Sequence, residues 1–281
     1  MGITENERHG ESNNNTANTT RDRALRESMS SIKQKFLVMS SKGGVGKTSV
    51  IVNLAMILSK KGVRVGLMDL NFQGPDIQSM LGLANVVKGD SDNRFLPIHY
   101  SDNLKVASVD ALIQDMDKTG IWEKPLKISD IRRFISGVNW GQLDYLFVDT
   151  PPGPGEALPT VLRAMPDAKI IIVTAPNKID ADRAKKMINF FRNKKIQIFG
   201  WIENMRGFLC QHCGQPQELF GTGSSSRAIF LMNIPFLGRI PIDPHLGESN
   251  AAGQIFLEKY PSSLVADACG LIAQKILESG Q

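Results

Sequence analysis

Between an apolar run and a helix-length stretch the chain reads Ser40-Ser41-Lys42-Gly43-Gly44-Val45-Gly46-Lys47-Thr48-Ser49. Glycines at this density let the backbone turn so that successive N–H groups face one point, which is how a peptide cradles phosphate at a helix start. Lys47 supplies a compact positive charge for β- and γ-phosphates, and the Thr48 hydroxyl is a ligand for magnesium. A glycine-rich turn that merely caps a helix is the plainer alternative, and the strand before the run together with the Lys-Thr pair argues for phosphate. The strict pattern asks for glycine where Ser41 stands; this chain has instead a second lysine, Lys42, at the front of the glycine run.

Two carboxylates are candidates for the same site. Asp149 ends the apolar run Leu143 to Val148 and leads into Thr150-Pro151-Pro152-Gly153, and Asp69 ends another and begins Asp69-Leu70-Asn71-Phe72-Gln73-Gly74-Pro75. Open α/β sheets bind ligands at the carboxyl ends of their strands. Asp149 is therefore placed to hold magnesium through water, and the loop after Asp69 to sense a γ-phosphate. One aspartate after a strand is usually a turn or cap residue; three such loops at one sheet edge point to a shared site.

A second kind of chemistry sits at Cys210-Gln211-His212-Cys213-Gly214. Such a turn brings two thiolates onto one metal or cluster edge, while tetrahedral zinc and a four-iron cluster each need four ligands. Two copies related by a twofold axis repair the count. Thiolates accept iron-sulfur clusters and zinc alike, so the ligands alone leave both open. His212 reads as outward-facing, and Cys269, among Leu264, Val265, Leu271 and Ile272, as a small buried apolar residue.

The elements that must carry these loops follow from the apolar pattern. Strand-like runs lie at Lys35 to Ser40, Val63 to Asp69, Leu104 to Val109, Leu143 to Asp149, Ile170 to Ala175, Ile196 to Ile202 and Phe236 to Ile240. Helix-length segments at Lys47 to Lys60, Asp180 to Lys194 and Ser262 to Leu277 lie between or after them. This is the rhythm of an α/β fold, a doubly wound and mainly parallel sheet flanked by helices. Residues 1–26 are polar and are expected to form a disordered tail, with a short helix from Ala24 to Gln34 leading into one domain over 27–281. Trp122, Trp140, Trp201 and Phe190-Phe191 are expected as packing residues.

With 281 residues the chain is long enough for one large domain, and its three cysteines are too few for a disulfide framework, which points to a reducing compartment. The absence of a long apolar run or of a basic-then-apolar leader makes a cytoplasmic, non-membrane protein the expectation. A net charge of +5 is compatible with nucleic acid, yet Lys and Arg are scattered along the chain. The segment Asp180 to Lys195, with Arg183, Lys185, Lys186, Arg192, Lys194 and Lys195, is the one candidate basic stripe, and it reads more simply as a solvated helix face. Nucleic acid is not an expected partner.

The sequence Lys42 to Thr48 is the deviant Lys-Gly-Gly-x-Gly-Lys-Thr form of the phosphate loop, and with Asp69 to Pro75 and Asp149 to Gly153 it resembles the MinD/ParA group of dimeric ATPases. Glu203-Asn204-Met205, the Cys210 to Gly214 knuckle, Leu219 to Gly223 and Phe236 to Asp243 resemble the Mrp/ApbC iron-sulfur carrier branch of that group, over residues from about 24 to the C-terminus. The resemblance implies an ATP hydrolase that binds ATP and magnesium and carries a 4Fe-4S cluster on Cys210 and Cys213 of a homodimer, for delivery to apo-proteins. The cysteine segment spans 205–221.

In that group the residue at Lys42 reaches the partner subunit's phosphates, in the manner of an arginine finger. The resemblance places Asn204 and Pro241 at the adenine, and Gly43, Gly44, Val45, Gly46, Lys47, Thr48, Ser49 and Asp149 at the phosphates and magnesium. One departure stands out: the family's switch has Asp-x-Asp, and here the second position is Asn71. An amide positions water but does not accept its proton, so slow or partner-dependent hydrolysis is expected. A positioning ATPase on DNA or membrane, or a zinc-stabilised dimer, are the alternatives.

Overall fold

A computed structural model of the chain describes residues 29–72, 74–83, 88–89, 95–109, 128–209, 215–217, 219 and 229–279. The expected polar tail, Trp122, Gln73 and the cysteines Cys210 and Cys213 lie outside the described residues.

The main elements in chain order are β1 (Ile32–Ser40), α1 (Lys47–Lys60), β2 (Val65–Asp69), α2 (Ile77–Met80), β3 (Ile98–Ser101), β4 (Leu104–Ser108), α3 (Ile128–Gly137), β5 (Leu143–Asp149), α4 (Leu158–Ala164), β6 (Lys169–Thr174), α5 (Lys178–Asn193), β7 (Ile198–Glu203), β8 (Phe236–Arg239), α6 (Pro244–Ala251), α7 (Phe256–Lys259) and α8 (Leu264–Glu278). The eight strands form one sheet in the order β8-β7-β6-β1-β5-β2-β4-β3. All neighbours run parallel except β3 against β4.

The strands read as unbroken apolar runs because both faces are covered. Along β1, Phe36 and Val38 join one core with Phe147, Ile171 and Val173, under α1 and α8, while Leu37 and Met39 join the other with Leu146, Val148, Ile170 and Ile172. The second core packs against α3, α4 and α5 through residues such as Phe134, Val161, Ile188 and Phe191. Trp140, Trp201 and Phe191 are fully buried, as packing residues should be, and Cys269 is buried on α8. On α5, Ala181, Ala184 and Ile188 face inward while Arg183, Lys186 and Arg192 are exposed.

The structure corrects several boundaries. Of the short helix expected from Ala24 to Gln34, the described residues Met29 and Ser30 are helical and the helix ends there, because Ile32 and Gln34 already pair with Leu143 and Tyr145 of β5. Val63 belongs to the turn after α1, where its N–H donates to Leu58 O. Helix α5 begins at Lys178, since the Asn177 side chain caps it by accepting from Asp180 N. The antiparallel edge strand β3 was not anticipated: its side chains alternate between half-buried and exposed, the pattern of a strand covered on one face.

Candidate functional site

The parallel register brings the predicted loops to one edge. Asp69 of β2 stands directly opposite Asp149 of β5, and Asp149 opposite Val38 of β1, two residues before the phosphate loop begins. Backbone bonds then tie the loops together: Gly153 N donates to Ser40 O at 2.8 Å and Leu70 N to Asp149 O at 2.8 Å. The Thr150 hydroxyl donates to Val38 O at 3.0 Å.

Helix α1 starts from Gly46, whose φ of 76° lies in the left-handed region, with no side-chain cap and no acidic residue in the first turn. Its opening N–H groups and positive dipole end are therefore left for an anion. A Cβ on Gly46 would sit 2.3 Å from Asn204 Nδ2, so both the turn and the close approach demand glycine. Asn204 is itself buried and donates through Nδ2 to Val45 O at 2.9 Å. The residue expected at the base thus also braces the phosphate loop.

Lys47, Thr48 and Asp149 form a buried triad. Thr48 Oγ1 donates to Asp149 Oδ2 at 2.5 Å, and Lys47 Nζ ion-pairs with Asp149 Oδ1. Burial lowers the Lys47 ammonium to about 8, opposed by the negative charges of Asp69 and Asp76; with Asp149 in contact, the ammonium is the form at neutral pH. Hydroxyl and carboxylate oxygens side by side are the hard donors that magnesium prefers, so the pair Thr48 and Asp149 fits that ion.

Asp69 is fully buried, with Oδ1 accepting from Asn71 N at 2.9 Å and Oδ2 from Ile77 N at 3.1 Å. Burial raises its carboxyl to about 6, against those two bonds. Both oxygens are spent on shaping the loop, and Asp69 is absent from the cavity wall. Asn71 does line the cavity and donates through Nδ2 to Gly74 O at 2.8 Å.

The cavity, about 610 Å³, is walled by Gly43 to Ser49, Asn71, Asn204 and Pro241, which gathers most of the sequence-predicted residues at one place. Lys42, which is exposed, and Asp149, fully buried against Lys47 and Thr48, lie outside the wall. The wall also contains residues with no role at the site assigned from sequence: Asp76, Met80, Met205, Leu246 and Asn250. Asn250 on α6 donates to Ser49 Oγ at 3.2 Å. The signal that could have located α6 is Asp243-Pro244, a cap residue followed by proline at the first helical position; Asp243 accepts from His245 N at 3.0 Å.

The cysteine segment is rooted at this same wall. After Met205, with φ 61°, Arg206 N donates to Ile240 O at 2.9 Å and Ile242 N to Gly207 O at 2.8 Å. Phe208 and Leu209 pair antiparallel with Gln217 and Pro216, on either side of residues 210–214 in sequence. Phe208 also bridges Ile242, next to Pro241 in the cavity wall.

A family model described as the ParA-type NUBPL iron-transfer P-loop NTPase matches residues 31–277. The chain belongs to this family. It is 40% identical over 220 residues to the iron-sulfur cluster carrier protein of Methanococcus maripaludis, covering 78% of this chain and 76% of that one. It is 34% identical over 261 residues to the mouse cytosolic Fe-S cluster assembly factor NUBP2, covering 91% and 95%. Among solved structures, a nucleotide-binding protein from Archaeoglobus fulgidus in complex with ADP superposes with a TM-score of 0.71 at 33% identity, over 83% of this chain and 92% of that one. The iron-sulfur carrier branch that Glu203 to Met205, the cysteine knuckle, Leu219 to Gly223 and Phe236 to Asp243 resemble is thus the family of this chain, and its fold is that of the P-loop NTPases. Among the described residues no helix is long and apolar enough to cross a membrane.

Proposed function

We propose that this chain is a cytosolic ATP-dependent carrier in which Cys210 and Cys213 of two copies hold one bridging 4Fe-4S cluster and pass it to apo-proteins, with ATP binding and hydrolysis setting how firmly it is held. The observation that carries this reading is the short covalent path between the two sites. Asn204 is bonded to the phosphate loop at Val45, Met205 lines the nucleotide cavity, and Cys210 follows five residues later. A shift of the phosphate loop is therefore delivered to the root of the cysteine segment. Such gating needs different cluster affinities in the two nucleotide states, since a ligand moves an equilibrium only through that difference.

The chain's own groups divide the nucleotide work. Backbone N–H groups from Gly43 to Thr48 and the Lys47 ammonium take the phosphates, Thr48 and Asp149 hold magnesium, and Asn204 and Pro241 flank the base. Magnesium, when bound, neutralises charge on the β- and γ-phosphates. Lys42, exposed at the front of the loop, is free to reach the phosphates of a second copy. Asn71 Oδ1 orients the attacking water without accepting its proton, so the rate of turnover depends on an acceptor elsewhere, on this chain or on a partner.

Anaerobic reconstitution with iron and sulfide tests the carrier reading. A brown dimer with about four irons and four sulfides, lost in Cys210→Ser, is the expected result. A colourless protein with about one zinc per dimer would assign the knuckle to structure instead. Asn71→Asp is expected to raise the rate of phosphate release, and a rate at or below that of the unaltered chain would reject the role given to Asn71.

A further inference from the structure

The loop between β2 and α2 places two polar side chains on the cavity wall, Asn71 and Asp76. Asn71 has its Nδ2 committed to Gly74 O, and its Oδ1 is buried with no hydrogen-bond partner among the described residues. That oxygen can accept from one hydrogen of a water, but an amide cannot take the proton away.

Three other carboxylates near the site are engaged. Asp69 uses both oxygens on Asn71 N and Ile77 N, and Asp149 is held by Lys47 and Thr48. Asp243 caps α6 and contacts His245 Nδ1 at 2.9 Å. Asp76 differs from all three. It precedes α2 without capping it, is exposed, and lines the cavity near enough for its charge to act on both Lys47 and Asp69.

We propose that Asp76 is the catalytic carboxylate of hydrolysis in this chain, taking over from the amide at position 71. Asn71 Oδ1 holds one hydrogen of the attacking water and Asp76 accepts the other. The water oxygen bonds to the γ-phosphorus while the bond from that phosphorus to the β–γ bridging oxygen breaks. Its electron pair leaves on ADP, where Lys47 meets the charge. The proton passes from Asp76 to the released phosphate, so ATP and water give ADP and inorganic phosphate with no further reactant. This inference rests on the reading of the site as ATP-hydrolysing.

Steady-state phosphate release and ATP binding, measured on the full chain with magnesium, test it. Asp76→Asn is expected to lower kcat at least about tenfold while KM stays within about twofold. Asn71→Asp introduced into the Asp76→Asn variant is expected to restore the rate, since the carboxylate then returns to the same loop. An unchanged kcat in Asp76→Asn, or a loss confined to KM, overturns the proposal and leaves hydrolysis itself standing. No phosphate release by the unaltered chain above a Lys47→Ala background overturns the hydrolytic reading, and this proposal with it. ADP binding and thermal melting separate a folded, slow variant from a misfolded one, and should Asp76→Asn melt early, Asp76→Ser takes its place under the same criteria.

Discussion

Thr48 Oγ1 donates to Asp149 Oδ2 at 2.5 Å across 101 residues of sequence, while Lys47, one residue away, ion-pairs with the other oxygen of the same carboxylate. One buried aspartate at the end of β5 thereby anchors both functional side chains of the phosphate loop.

Replacing that aspartate should act on stability and on magnesium together. Asp149→Asn strips a buried ammonium of its counter-charge, a loss on the order of 3 kcal/mol. Thermal melting is expected to drop accordingly, and ADP titrations with and without magnesium should become nearly equal. A variant that keeps full magnesium dependence would remove Asp149 from the metal site.

Glycine at 46 is expected to be irreplaceable. Gly46→Ala combines a left-handed φ of 76° with a Cβ 2.3 Å from Asn204 Nδ2, a strain of about 1–3 kcal/mol. Nucleotide affinity should fall with stability, whereas Gly155→Ala, where nothing lies within 4 Å of a Cβ and the backbone is ordinary, serves as a near-neutral control. Equal affinities in the two variants would contradict the close-approach argument.

The three cysteines should separate by reactivity. Burial pushes the Cys269 thiol up to about 12, so it stays protonated and unreactive through the neutral range. Iodoacetamide should modify it only after unfolding, and Cys269→Ala should keep its reconstituted iron while losing about 1 kcal/mol of stability to a small cavity. Iron loss in this variant would make Cys269 part of the cluster site.

At the opposite edge of the sheet, Arg64 donates from Nε to Asp144 Oδ2 at 3.1 Å and from a terminal nitrogen to Oδ1 at 3.0 Å, with Lys33 at 2.9 Å. Hydrogen bonding to Arg64 above all, then to Lys33, holds the Asp144 carboxyl well below its ordinary value of 3.8. Because the native state lowers this pKa, the linked stability is present above that ordinary value and is lost as pH falls below it toward the native one. Urea midpoints recorded on acidification should show a smaller decline for Arg64→Ala than for the unaltered chain, and identical slopes would dismiss the linkage.

Local signals in the chain sufficed for the phosphate loop and for most strands, because a glycine run between an apolar strand and a helix has few other uses and because strands buried on both faces read as continuous apolar runs. Ser40, Asp69 and Asp149 could be assigned to strand ends for the same reason. The edge strand Ile98–Ser101, with one covered face and four residues, carries too little periodicity to be seen.

What the sequence by itself determined is a set of residue types at fixed spacing: the glycines and lysines from Lys42 to Lys47, the carboxylates at 69 and 149, and the cysteine pair at 210 and 213. Only the tertiary structure decided which of these share a cavity. Parallel register sets Asp69 beside Asp149, yet the loop that follows turns Asp69 inward onto its own N–H groups and places Asn71 and Asp76 on the cavity wall. That outcome depends on where backbone donors fall after the strand ends, a long-range condition that no pattern along the chain encodes.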